Sequence, residues 1–133
     1  MIAHPSCTAL ACAFFVVSVQ SPSAEQPSNA LARSSSGPLR CEIQKNDKGD
    51  VIELIGLVAS TRALSVSAHF GFVKSGASGS SDINQSQNFI VRADQQTIVG
   101  RAATDLGPGG HIAVDLRVGA GSLECRARAS LER

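Results

Sequence analysis

Ile112-Ala-Val-Asp-Leu-Arg-Val118 alternates apolar and non-apolar positions without a break. Successive side chains of a strand point to opposite faces, so this spacing predicts a β-strand with one face in a core. The next segment repeats the pattern. Leu123, Cys125, Ala127 and Ala129 alternate with Glu124, Arg126, Arg128 and Ser130. Upstream, Leu64, Val66, Ala68, Phe70 and Phe72 alternate with Ser65, Ser67, His69 and Gly71. Leu39, Cys41 and Ile43 alternate with Arg40, Glu42 and Gln44, and residues 51–59 are almost continuously apolar, as in a strand covered on both faces. Weaker strands are expected at 88–92 and 97–103. Asn46-Asp-Lys-Gly49 and Gly107-Pro-Gly-Gly110 supply the positive-φ and fixed-φ residues that hairpins need. About seven short antiparallel strands with this punctuation predict an all-β, immunoglobulin-like β-sandwich. The chain has neither Trp nor Tyr. The buried Trp and the tyrosine corner of antibody domains are therefore excluded, and the core must be aliphatic with Phe.

Between two of these strands lies Lys74-Ser-Gly-Ala-Ser-Gly-Ser-Ser-Asp-Ile-Asn-Gln85. Its glycines are costly to order and its serines compete for backbone hydrogen bonds, so it reads as an exposed loop.

The N-terminus reads as processing signal followed by leader. Residues 7–19 form an uninterrupted apolar run, too short to span a bilayer comfortably, with Ser, Pro and Gln close behind. Residues 1–24 are expected to be a secretory signal peptide, although no Lys or Arg precedes the run and both Ser21 and Ala24 suit the cut. A retained N-terminal helix is the competing reading. Residues 25–38 are Ser, Pro, Asn and Ala with few large apolar side chains, the composition of a flexible leader. The folded unit is then 39–131.

Of four cysteines, Cys7 and Cys12 fall in the signal segment. Cys41 and Cys125 remain, near the two ends of the domain and both on inward-facing parity. In an exported chain such a pair reads as a disulfide, with two separate buried thiols as the alternative. No Cys-x-x-Cys motif is present to support redox catalysis.

A search for chemistry finds little. His69 and His111 have no second ligand at metal spacing, so no metal is expected. There is no Gly-x-Ser-x-Gly elbow and no phosphate loop opening a helix. The twelve Lys and Arg nearly balance the eleven Asp and Glu. Without aromatic interleaving, that balance argues against nucleic acid. The expectation is a protein with no catalytic residue and no cofactor. What remains is surface. If the last two strands pair, Arg117, Arg126 and Arg128 form a basic stripe, which is either a solvated, edge-protecting face or a contact patch for a polar or acidic unfolded chain.

The polar stretch 74–85, the Cys41-Glu-Ile43 start and the single late Cys125 together resemble the CsgH family. These are small periplasmic, immunoglobulin-like proteins of alphaproteobacteria, related in role to the curli assembly inhibitor CsgC. The resemblance spans 39–131. It implies a periplasmic, monomeric, chaperone-like protein without stable membrane association, which holds curli-type subunits soluble and blocks their conversion to amyloid. CsgC-type proteins carry Cys-x-Cys, where this chain has Cys41-Glu-Ile43, so a redox role from that motif has no residues here. Curli-type subunits are Gln/Asn- and Gly-rich repeats that form cross-β stacks. On this reading Arg117, Arg126 and Arg128 are the expected client contacts, with Lys74 and its Ser-Gly segment second. The competing reading is an exported structural or adhesive module.

Overall fold

A computed structural model describes residues 29–77 and 79–133, all of the regular structure being strand. The elements are β1 (Ala30–Ser36), β2 (Leu39–Lys48), β3 (Val51–Ser60), β4 (Leu64–Ser75), β5 (Ser81–Val91), β6 (Gln96–Asp105), β7 (His111–Ala120) and β8 (Leu123–Glu132). They form two four-stranded antiparallel sheets, A in the order β1-β2-β3-β6 and B in the order β5-β4-β7-β8. The chain crosses between sheets after β3, β5 and β6, so that β3 pairs with β6 while β4 pairs with β7. This is the expected β-sandwich.

The alternation seen in the sequence is what fills the interior. Leu39, Cys41 and Ile43 of β2, Leu54 and Val58 of β3, Phe70 and Phe72 of β4, and Ile112, Leu116 and Val118 of β7 are all essentially inaccessible to solvent. Phe70 sets the sheet separation at the centre. Its ring lies against the paired glycines Gly56 and Gly100 of sheet A. A Cβ on Gly100 would fall 2.3 Å from Phe70 Cγ, and one on Gly56 would fall 2.8 Å from Phe70 Cδ1. Glycine stands at these two positions because the opposing ring occupies the space of a side chain.

Cys41 of β2 and Cys125 of β8 are joined by a disulfide that ties sheet A to sheet B, with the Cα atoms 6.1 Å apart. Both are buried in the core. The bridge closes a loop of 84 positions, for which chain entropy gives about 4 kcal/mol.

Two sequence expectations are corrected. The segment expected to be a flexible leader contains strand β1, which pairs with β2 through Ser36↔Leu39 and Ser34↔Cys41. Gly37, at φ 59°, and Pro38 form the tight turn between them. Leu31 and Ala32 pack on the core, and the Ser34 carbonyl lies 3.2 Å from the Cys125 sulfur. Small Ala and Ser side chains give β1 no periodic hydrophobic signal; pairing with β2 and packing against β8 order it. The proposed loop 74–85 is mostly strand as well. Lys74 and Ser75 end β4, and Ser81 begins β5 opposite Lys74. The expected signal peptide and its cleavage site lie outside the described residues.

Candidate functional site: the outer face of sheet B

The strands of sheet B lie in an unbroken register from β5 to β8. Alternation therefore carries straight across the sheet and assembles outward-facing residues into rows. One row is Ser86–His69–Arg117–Arg126, and its neighbour is Asn84–Gly71–Asp115–Arg128. Pairing of β7 with β8 thus brings Arg117, Arg126 and Arg128 onto one exterior, as the sequence required of a basic stripe. Arg117 stands directly opposite Arg126.

Asp115 organises the stripe. Arg126 grips it as a fork, donating from Nε to Oδ1 at 3.0 Å and from Nη2 to Oδ2 at 3.2 Å. Arg128 Nε approaches Oδ1 at 3.5 Å. The hydrogen bond from Arg126 holds the Asp115 carboxyl below the usual carboxylate range, aided by the charges of Arg126, Arg128 and Arg117 and opposed by partial burial. The same pair raises Arg126, keeping it firmly cationic. Among the described residues Arg117 finds no ion pair or side-chain hydrogen bond, and it is exposed. Two guanidiniums thus hold one carboxylate at the centre of the stripe, with the charge of Arg117 nearby, while Glu124 near its end adds a weaker attraction on Arg126. At the far end of the face, His111 Nδ1 lies 3.2 Å from Glu132 Oε2.

The centre of this face is low. Ser67 and Gly119 project little, and they leave a trough of about 560 Å³ between Ser67, His69, Asn88, Arg117 and Glu124. His69 Nδ1 lies 3.0 Å from Ser86 Oγ, and Ser67 Oγ donates to Asn88 Oδ1 at 2.6 Å. The floor is backbone and small polar groups, and the β7–β8 side is cationic. Such a surface can take an extended polar chain by hydrogen bonds and ion pairs. Among the described residues no group of three His, Cys, Asp or Glu converges to hold a metal.

Lys74 lies elsewhere. It continues the inward parity of Phe70 and Phe72, so its stem is buried, and its ammonium crosses to β6 and meets Asp105 Oδ1 at 2.9 Å. That contact is the main cause of the lowered Asp105 carboxyl. Lys74 is thus a part of the inter-sheet packing, separate from the arginine stripe. Missing from the sequence reading were Asp115 as organiser, His69 as a member of the arginine row, and the trough. All follow from strand register. The outward parity of Ser67, His69 and Gly71 was visible, and what the sequence lacked was the identity of their neighbours.

Comparison with known proteins agrees with the architecture. Residues 40–128 match the family model described as CsgH protein. The solution structure of R. palustris CsgH superimposes with a TM-score of 0.56 at 28% identity, covering 71% of this chain and 91% of that one. The E. coli curli protein CsgC superimposes with a TM-score of 0.61 at 20% identity, covering 70% of this chain and 97% of that one, a likeness of fold. No curated protein matches the sequence.

Proposed function

The chain belongs to the CsgH family, and on that premise we propose that it is a periplasmic, chaperone-like inhibitor that keeps curli-type subunits from forming amyloid during curli assembly. The observation that carries the reading is the outer face of sheet B, where Arg126 and Arg128 hold the carboxylate of Asp115 and Arg117 stands exposed beside a shallow polar trough. A disordered, polar subunit meets there a surface that offers charge and hydrogen bonds but no large apolar patch. Contacts of that kind are individually weak and screened by salt, so binding is brief and the client is released intact. The inhibitor acts as a monomer, through its exterior, without a catalytic step or cofactor. A buried disulfide suits the oxidising periplasm.

The test is to add the purified protein at substoichiometric ratio to a curli-type subunit and follow amyloid-dye fluorescence. A lengthened lag that shrinks as salt is raised supports the reading. An unchanged lag at low salt overturns it.

A further inference from the structure

The sandwich has four edge strands, and each edge presents a row of backbone N–H and C=O groups on which another chain can template. Three of the four are guarded. The edge of β6 is occupied by side chains from β5. The Gln85 amide accepts from the Arg101 N–H at 3.0 Å and donates to the Arg101 carbonyl at 3.3 Å, while Gln87 Nε2 donates to the Val99 carbonyl at 3.1 Å. β6 also shifts register against β3 beside Gly56. β1 is irregular between Ala30 and Ala32, carries Arg33, and packs against β8. β8 carries Glu124, Arg126, Arg128 and Glu132 along its outward face.

β5 is the least guarded: it carries one charge, Asp82 near its start, and packs on β6 through Gln85 and Gln87, but no side chain occupies its open edge. Among the described residues its backbone is hydrogen-bonded to β4 alone, through eleven consecutive pairs with no shift of register. Residues 83–91 include no charged residue, no Pro and no Gly. Residues 84–88, Asn-Gln-Ser-Gln-Asn, are exposed one after another on both faces. A long, regular, neutral edge is the arrangement that natural sheets avoid unless something pairs with it.

We propose that the free edge of β5 is a docking strand for an extended, neutral, Asn/Gln/Ser-rich segment of another polypeptide, added as a fifth strand of sheet B. The occupant follows from the chemistry of the edge. Backbone groups supply the pairing, and the amides of Asn84 and Asn88 favour amide side chains opposite them, the ladder that stabilises stacked polar strands. The one charge on the strand, Asp82, lies near its start, and residues 83–91 are neutral. Gln85 and Gln87 are already engaged with β6, so the pairing falls to the backbone of β5 and its outward side chains. This inference rests on the inhibitor reading above and specifies where the client's backbone is held.

The experiment uses the whole protein and a soluble synthetic peptide of Asn, Gln and Ser about ten residues long, enough to cover one strand. A second peptide of identical sequence carries N-methyl groups on alternate backbone amides, which blocks strand pairing and keeps the side chains. Backbone amide exchange is measured with each. The proposal expects new protection within residues 82–90 from the first peptide and none from the second. It expects the Asn84→Lys/Asn88→Lys variant, with unaltered melting, to bind the first peptide at least about tenfold more weakly, the equivalent of losing one or two hydrogen bonds. Equal protection by both peptides, changes confined to Arg117, Arg126 and Arg128, no binding at all, or self-association of the protein through β5 would each overturn it. The subunit fibrillation assay separates the two readings. If wild type and the Lys variant delay fibrils equally, the edge inference fails and the arginine reading stands. If wild type itself gives no delay, the inhibitor reading fails whatever the peptide does.

Discussion

The two outer faces of the sandwich are built from opposite materials. On sheet A, the central strand β3 turns Ile55, Leu57 and Ala59 outward, yet each is less than a tenth exposed. Arg40, Glu42 and Gln44 of β2 lie in register on one side, and Gln96, Ile98 and Arg101 of β6 on the other. Long polar side chains cover apolar surface with their stems while their heads stay in water. The charges are also matched. Arg33 meets Glu42 at 3.5 Å, and Glu53 takes Lys48 at 3.2 Å and Arg101 at 3.5 Å. On sheet B, the central strands set the small Ser67, Gly71, Ala113 and Gly119 between the taller His69, Val73, Asp115 and Arg117, and among the described residues no large apolar side chain is covered there. Its arginines outnumber the carboxylate they share. The first face is closed over its own hydrophobic residues, whereas the second leaves cations and backbone available. On the proposed function, that contrast gives stability to one exterior and contact to the other.

The largest effect comes from cutting what both faces share. Replacing Cys41 and Cys125 by Ser is expected to cost about 4 kcal/mol and to lower the melting of both sheets in one transition, read by circular dichroism. Two separate transitions would show that the faces are held independently. Gly100→Ala drives a methyl into the Phe70 ring and is expected to cost about 3 kcal/mol in chemical denaturation, with partial recovery in the Phe70→Leu background. Leu57→Ala sharpens the contrast directly. It removes a covered side chain from the outside of sheet A, at a cost of about 2 kcal/mol, and is expected to leave the fibrillation lag unchanged at a temperature where the variant is folded.

The smallest effect is that of Asp115→Asn. Because Arg126 lowers the Asp115 carboxyl in the folded state, its ionised form stabilises the protein fully at pH values above the unfolded carboxylate value of about 3.9. That contribution is lost as pH falls through the lower folded-state value. The variant should therefore melt slightly below wild type at neutral pH and converge with it in strong acid. Its released arginines should lengthen the fibrillation lag. A shortened lag would mean that Asp115 holds the arginines in their working geometry.

How much of this was legible in the sequence depends on the element. Strands with one face in the core announced themselves: Ile112 to Val118, Leu64 to Phe72 and Leu123 to Ala129 alternate because burial on one side demands it. The two strands that were missed or shortened lie at sheet edges. β1 is Ala and Ser, and β5 is polar on both faces, so neither carries a periodic signal. The pairing of Cys41 with Cys125 followed from parity and compartment. The arginine stripe followed from the assumption that the last two strands pair. Register supplied the rest. It placed Asp115 between Arg126 and Arg128, set His69 beside Arg117, and directed Lys74 inward to Asp105. Alternation gives each residue a face, and only the alignment of neighbouring strands gives it a partner.

The account stands on the claim that the exterior of sheet B, and not that of sheet A, meets the client. The direct measurement is the fibrillation lag of a curli-type subunit with two charge-reversed variants, Arg126→Glu/Arg128→Glu on sheet B and Arg40→Glu on sheet A, each first shown to melt near wild type. The account predicts that the sheet B variant loses the delay and that the sheet A variant keeps it. Retention of the delay by the sheet B variant, or its loss through Arg40 alone, would contradict the account.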